Sequence, residues 1–282
     1  MRADDAAGTR EVARRLFAAE YDDATLSYSE SDEERAPNYV VTPTGARVNR
    51  LFAVGVLTAT ESVNDDMLRA RVVDTTGAFV AYAGQYQPEA LAFFERATPP
   101  AFVALTAKAR TFQPEDSEQV FTSARPETVN EVDADTRDRW TVSAAKATLR
   151  RISLFDAALS SGLRGDDLDS HLREHDIDEA LATGVPRAIA HYGTATAYLD
   201  AVRRLALDSL AVVAGEREEV RELALAPDEG GAAALGQIPD NLRAEESIAT
   251  PEAATESATT ERADATGAGT DPSTTAPDIG AT

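Results

Sequence analysis

The 282-residue sequence predicts an α+β protein: a small five-stranded β-barrel, a C-terminal helical region behind it and a disordered acidic tail. Three observations carry this. Between Arg50 and Ser123, apolar and polar residues alternate with period two in runs bounded by turn residues, the signature of strands. After Glu131 the apolar spacing changes to three and four, which places the apolar side chains on one face of a helix. From Pro227 on, large apolar side chains almost vanish and 11 acidic residues stand against two basic ones. Such a segment cannot bury enough surface to offset its ordering entropy.

Residues 1–46 contain an amphipathic stretch, Glu11 to Tyr21, with Val12, Leu16 and Ala19 on one side, read as a short helix. An acidic loop at Glu30 to Arg35 leads to an arm, Pro37 to Gly45. Prolines at both ends of the arm limit it to a short edge strand or extended segment lying across the barrel.

The barrel occupies residues 47–133. Arg50 to Thr60 is its first run, with Phe52, Val54 and Val56 on one face and Gly55 where a coiled strand could bend. Beyond the turn Asn64-Asp65-Asp66, Met67 to Asp74 places Leu68, Ala70 and Val72 on one face and Arg69 and Arg71 on the other. Thr75-Thr76-Gly77 closes a hairpin into Ala78 to Ala83, and Pro88 to Arg96 reads as a helix with Pro at its start. Phe102 to Phe112 then alternates with Val103, Leu105, Ala107 and Ala109 inward, and a last strand around Gln119 to Ser123 closes the barrel. Three strands, one helix and two more strands is the order of the OB-fold, a five-stranded Greek-key barrel.

Residues 134–162 form an amphipathic helix. Val142, Ala145, Leu149 and Ile152 lie at spacings of three, four and three, and Trp140 and Phe155 broaden the stripe. The stripe must be buried, either inside the chain or against a partner subunit, and an amphipathic helix looks the same in both cases. Residues 163–226 form a further helical domain punctuated by Gly184, Pro186 and Gly193, and residues 227–282 are the tail.

The formal net charge is -22, and only Lys108 and Lys146 among the 27 basic residues are Lys. High acid with Arg in place of Lys fits a protein kept soluble in concentrated salt. Against that background, Arg47 to Phe112 holds seven basic residues and six acidic ones. Phosphate binding needs Arg and Lys and is weakened by nearby carboxylates, so a polyanion is the first candidate ligand of the barrel. Single-strand binders pair basic residues along the backbone with aromatic rings that stack on bases. The candidate DNA-binding residues are therefore Arg47, Arg50, Arg69, Arg71, Tyr82, Tyr86, Lys108, Arg110 and Phe112. The alternative is that these are solvated strand faces, with Tyr86 packed under the helix.

With no Cys there is no disulfide, thiolate zinc site or thiol nucleophile. No apolar run approaches the roughly 20 residues that span a bilayer, and the charged start lacks a signal-peptide core, so a cytoplasmic, cofactor-free protein is expected. His171-Leu172-Arg173-Glu174-His175 matches the H-x-x-E-H zinc pattern, but the Glu residues at a plausible distance for a third ligand lie in or near the disordered tail, and both histidines read as exposed helix residues. No glycine-rich phosphate loop or nucleophile-base arrangement is present, and no enzymatic activity is expected.

Four stretches carry a resemblance: Arg10 to Tyr21; Glu33-Glu34-Arg35-Ala36-Pro37-Asn38-Tyr39; Arg69-Ala70-Arg71-Val72-Val73-Asp74; and Ala83-Gly84-Gln85-Tyr86-Gln87-Pro88-Glu89. In combination they resemble the archaeal replication protein A (RPA) family, more narrowly the RPA-associated proteins of haloarchaea, over about residues 8 to 225. The resemblance implies an OB-fold subunit of a single-stranded-DNA-binding complex in replication, recombination and repair, partnered with a larger RPA subunit. It also implies assembly through the helix after the barrel, which makes Trp140, Val142, Ala145, Leu149, Ile152 and Phe155 the candidate partner-binding residues. A subunit whose OB-fold contacts protein and not DNA is the alternative.

Overall fold

The computed structural model describes residues 11–31, 33 and 36–250. The first turn of helix, α1 (Ala18–Asp22), is followed by a three-stranded antiparallel sheet of β1 (Leu26–Ser29), β2 (Asn38–Val41) and β3 (Arg47–Val48). Only α1 is helical within Glu11 to Tyr21. The expected longer helix is overridden by tertiary pairing, because the Arg14 N–H donates to the Arg50 carbonyl at 2.8 Å and the Phe52 N–H donates to the Arg14 carbonyl at 2.8 Å. The chain start is thereby held extended alongside the first barrel strand.

That strand, β4 (Arg50–Asn64), closes a barrel with β5 (Met67–Val73), β6 (Ala78–Gly84), β7 (Ala101–Phe112) and β8 (Phe121–Glu131), in the order β4-β5-β6-β8-β7. All pairs are antiparallel except β6 with β8. Helix α2 (Pro88–Arg96) lies between β6 and β7 in the chain. This is the OB-fold order. Much of the barrel lining is alanine: Ala53, Ala70, Ala81, Ala83, Ala107, Ala109 and Ala124 are all buried, with Leu51, Phe79 and Leu105 among the larger buried side chains. Gly55 lets β4 bend against β5, since a Cβ there would sit 2.4 Å from the Val73 carbonyl oxygen.

The face of β4 that carries Phe52 and Val54 is not the one that lines the barrel. Leu51 and Ala53 register with Ala107 and Leu105 and face the interior, whereas Phe52 and Val54 face outward. That outer face is covered by α3 (Ala134–Ser160), whose Trp140 indole N–H donates to the Phe52 carbonyl at 2.8 Å. Alternation in β4 therefore separates two apolar layers, not core from water.

Helices α4 (Gly165–Glu174), α5 (Glu179–Tyr192) and α6 (Thr196–Val213) follow. Gly184 and Pro186 lie inside α5, and Gly193, at φ 60°, ends it. Gly184 is needed for close approach, because a Cβ there would lie 2.2 Å from the Gly45 carbonyl oxygen. Helix α3 packs along α6 and on β4. Its stripe residues Trp140, Ala145, Leu149, Ile152 and Phe155 are at most 3% exposed, and Val142 is half-buried. The chain's own α6 and barrel cover this stripe, whose residues are the ones expected to dock a partner subunit.

A buried ionic network locks α1, the β2–β3 turn and α3 together. Arg151 pairs with Glu20 at 2.5 Å, the Thr42 and Thr44 hydroxyls donate to the other Glu20 oxygen, and Arg151 Nε donates to Thr44 at 2.6 Å.

Of the expected tail, residues 227–250 are described. Ile238, Leu242 and Ile248 are buried, and a 3-10 turn (Asp240–Leu242) and α7 (Glu246–Ala249) pack on α3. Three apolar anchors suffice to hold residues 227–250 against the helices. The rest of the expected disordered tail, 251–282, lies outside the described residues, as do Arg10, Glu34 and Arg35 of the stretches that carry the resemblance. No described helix is long and apolar enough to cross a membrane.

Candidate nucleic-acid interface

Strand register builds the site. On the barrel exterior Arg50 of β4 lies opposite Lys108 of β7, and Lys108 lies opposite Arg125 of β8. Directly opposed residues share a face with Cβ atoms about 5 Å apart, and like charges so placed are destabilising. Glu127 pairs with Arg50 at 2.7 Å. Lys108 and Arg125 have no ion-pair partner among the described residues. Arg110, two residues along β7, has none either, and its Nη1 donates to the Ala109 carbonyl at 2.8 Å. Burial lowers the affinity of Arg110 for its proton, and the Arg125 charge adds to this. An anion would relieve this cluster.

Aromatic rings border it. Tyr86 is 76% exposed, and the Arg125 guanidinium lies 5.9 Å from its ring centre. Tyr82 on β6 registers with Arg69 on β5. Phe112 and Phe121 register with each other at the end of the β7–β8 hairpin and are 63% and 46% exposed. Two adjoining clefts, of about 690 and 530 Å³, share Tyr86, Gln87 and Arg125. The larger runs from the β4–β5 turn past Tyr82 to Arg110, and the smaller runs past the start of α2 to Lys108 and Glu127. OB-folds commonly take ligands on their second and third strands and flanking loops, which here are β5, β6 and the β4–β5 and β7–β8 connections.

The structure thus brings Arg50, Tyr82, Tyr86, Lys108 and Arg110 to one side of the barrel, with Phe112 at the hairpin tip. Arg69 and Arg71 project outward from β5, and Arg69 is already paired with Glu61 at 2.5 Å. Arg47 is corrected. It belongs to β3, outside the barrel, is 5% exposed, pairs with Glu30 and lies 3.6 Å from the centre of the Tyr39 ring. It cannot reach a ligand in the cleft.

Sequence reasoning missed Arg125 and Phe121. The last strand is read as Gln119 to Ser123, whereas β8 runs on through Pro126 to Glu131. In the fold, the β7–β8 register shifts beside Pro126, between Thr106 and Ala107, and this irregularity accommodates the proline in mid-strand. Only the long alternation of β7, which needs an equally long neighbour, could have revealed it.

The histidine motif holds backbone. His171 is buried, in contrast to the expectation, and its Nε2 lies 3.1 Å from the Ile248 carbonyl oxygen. His175 Nδ1 lies 2.8 Å from the His171 carbonyl oxygen. No group of three His, Asp or Glu suited to a metal ion occurs among the described residues.

No protein-family model and no curated protein matches the chain. Among solved structures, it is similar to a chain of a replication protein A heterotrimer bound to single-stranded DNA, at 16% identity and a TM-score of 0.36. That match covers 50% of this chain and 98% of the other. It is also similar to a chain of the S. pombe Stn1-Ten1 complex, at 12% identity, a TM-score of 0.35 and coverage of 46% and 86%. A third is Rim1, a mitochondrial single-stranded-DNA-binding protein of S. cerevisiae, at 17% identity, a TM-score of 0.26 and coverage of 30% and 95%.

Proposed function

We propose that the barrel binds single-stranded DNA across β6, β8 and β7, and that the chain works as a non-enzymatic subunit beside a larger RPA subunit in replication, recombination and repair. The observation that carries the reading is the cross-strand placement of Lys108 against Arg125, with Arg110 beside them and none of the three in an ion pair among the described residues. Such a cluster costs stability in the free protein and is neutralised by phosphate oxygens. Tyr86 and Tyr82 border the same cleft, where bases would stack. The partner rests on the sequence resemblance alone.

A second reading, in which the OB-fold contacts protein and not DNA, draws support from the carboxylates at the cleft: Asp65 and Asp66 at one end, Glu89 and Glu127 at the other. Fluorescence anisotropy with a labelled oligo-dT, on the chain alone and with its co-purified partner, separates the two. Replacing Lys108 and Arg125 together by Ala is expected to weaken DNA binding by about tenfold or more. Unchanged affinity in the complex would favour the protein-contact reading.

A further inference from the structure

A second concave site lies away from the barrel cleft. A cavity of about 900 Å³ is enclosed by the extended chain start at residues 12–15, α3, the turn between α4 and α5, and residues 241–248. Its size is that of a small-molecule pocket. Six arginines line it against the carboxylates of Asp176, Asp178 and Glu245, in a chain where acidic residues outnumber basic ones 49 to 27.

Most of those arginines are committed elsewhere. Arg151 serves the buried Glu20 network, Arg47 pairs with Glu30, and Arg14 and Arg243 pair with Asp178 and Asp240. Arg15 and Arg150 have no ion-pair partner among the described residues. The Arg15 guanidinium lies 5.2 Å from the centre of the Phe52 ring, a cation–π contact. The lining of the same cavity includes the apolar side chains of Leu154, Leu242 and Ile248, all buried.

Two guanidinium groups with no ion-pair partner among the described residues, in one cavity with apolar side chains, match a ligand that carries both phosphate and a flat ring. Planar guanidinium forks suit phosphate oxygens, and an apolar lining suits a ring. We infer that this cavity binds a small nucleoside phosphate, with the phosphates on Arg15 and Arg150 and the base over Leu154 and Leu242. The site shares no residue with the cleft proposed for DNA and does not depend on that proposal.

The test is isothermal titration of the full chain with ATP and, separately, with inorganic triphosphate, alongside anisotropy with oligo-dT. ATP is expected to bind one per chain, and triphosphate about tenfold more weakly because it lacks the ring. Arg15→Ala with Arg150→Ala should weaken ATP by about tenfold or more while leaving oligo-dT affinity unchanged. Thermal melting checks that the variant folds, and Arg150→Gln alone serves if it does not. The inference is overturned if ATP does not bind, if triphosphate binds as tightly as ATP, or if ATP binding is lost on replacing Lys108 and Arg125 instead. An acidic peptide displacing ATP from Arg15 and Arg150 more effectively than other nucleotides do would likewise overturn the ligand class.

Discussion

Individual side chains in this protein do opposite things with similar chemistry. Arg47 and Lys108 are both cations of the sheet regions, yet one is paired and buried and the other is uncompensated beside two arginines. Arg47→Ala should therefore leave DNA affinity alone and lower the melting temperature, because it strands Glu30 and empties the space over Tyr39. Asp23 gives a second residue-level prediction. Burial pushes its carboxyl up to about 6, against the opposing hydrogen bond from the Tyr198 hydroxyl at 2.7 Å. A raised carboxyl holds its proton in the folded state when the unfolded chain has already lost it, so the native state binds more protons between about pH 4 and pH 6. Stability contributed by this group is then highest at low pH and falls as pH rises through that window. Asp23→Asn should melt higher than the parent at pH 8 and alike at pH 4. Thermal melts across pH give the comparison, and identical pH profiles for the two proteins would refute the assignment.

Elements are held to each other by a few contacts that decide whether they stay. Removing Arg151 leaves Glu20, fully buried, with only the two threonine hydroxyls, and a stranded buried charge typically costs about 3–5 kcal/mol. Arg151→Ala is expected to show a loss of that order in urea denaturation, and adding Glu20→Gln should recover part of it. No recovery would mean that packing, not charge, dominates. Truncation reads the C-terminal segment in the same way. Ending the chain at residue 226 removes Ile238, Leu242 and Ile248 from the face of α3 and should lower the melting temperature, whereas ending it at residue 250 should not. These anchors were hard to see in the sequence, because three apolar residues among Ala, Glu and Gly do not form a periodic stripe. The start of the chain failed for the opposite reason. Val12, Leu16 and Ala19 have helical spacing, but the backbone of Arg14 is taken by Arg50 and Phe52. By contrast, the barrel order and α2 were legible because turn residues and period two coincide there. In the site, the outward row of Lys108 and Arg110 could be read from alternation alone. Its partner Arg125 could not, since the last strand reads as ending at Ser123, two residues before it.

For the whole molecule the question is how a chain of net charge -22 holds a polyanion. At low ionic strength the surrounding carboxylates repel DNA over tens of ångströms, while at about 1 M salt the screening length is about 3 Å and only groups in contact still matter. Salt therefore removes the long-range repulsion while it also weakens each phosphate contact. Stacking on Tyr86, Phe112 and Phe121 does not release counterions, so its share of the affinity should grow with salt. Each neutralised phosphate on a single strand contributes about -0.7 to the slope of log affinity against log salt. With Lys108, Arg110 and Arg125 as the contacts, that slope is expected near about -2, and Lys108→Ala with Arg125→Ala should make it shallower by about 1.4. Tyr86→Ala should instead leave the slope unchanged and lower affinity by about 1–3 kcal/mol at every salt concentration. Anisotropy titrations with oligo-dT over a series of potassium chloride concentrations distinguish the two kinds of variant. If Tyr86→Ala altered the slope and the basic pair did not, the division of labour between cations and rings would have to be reversed.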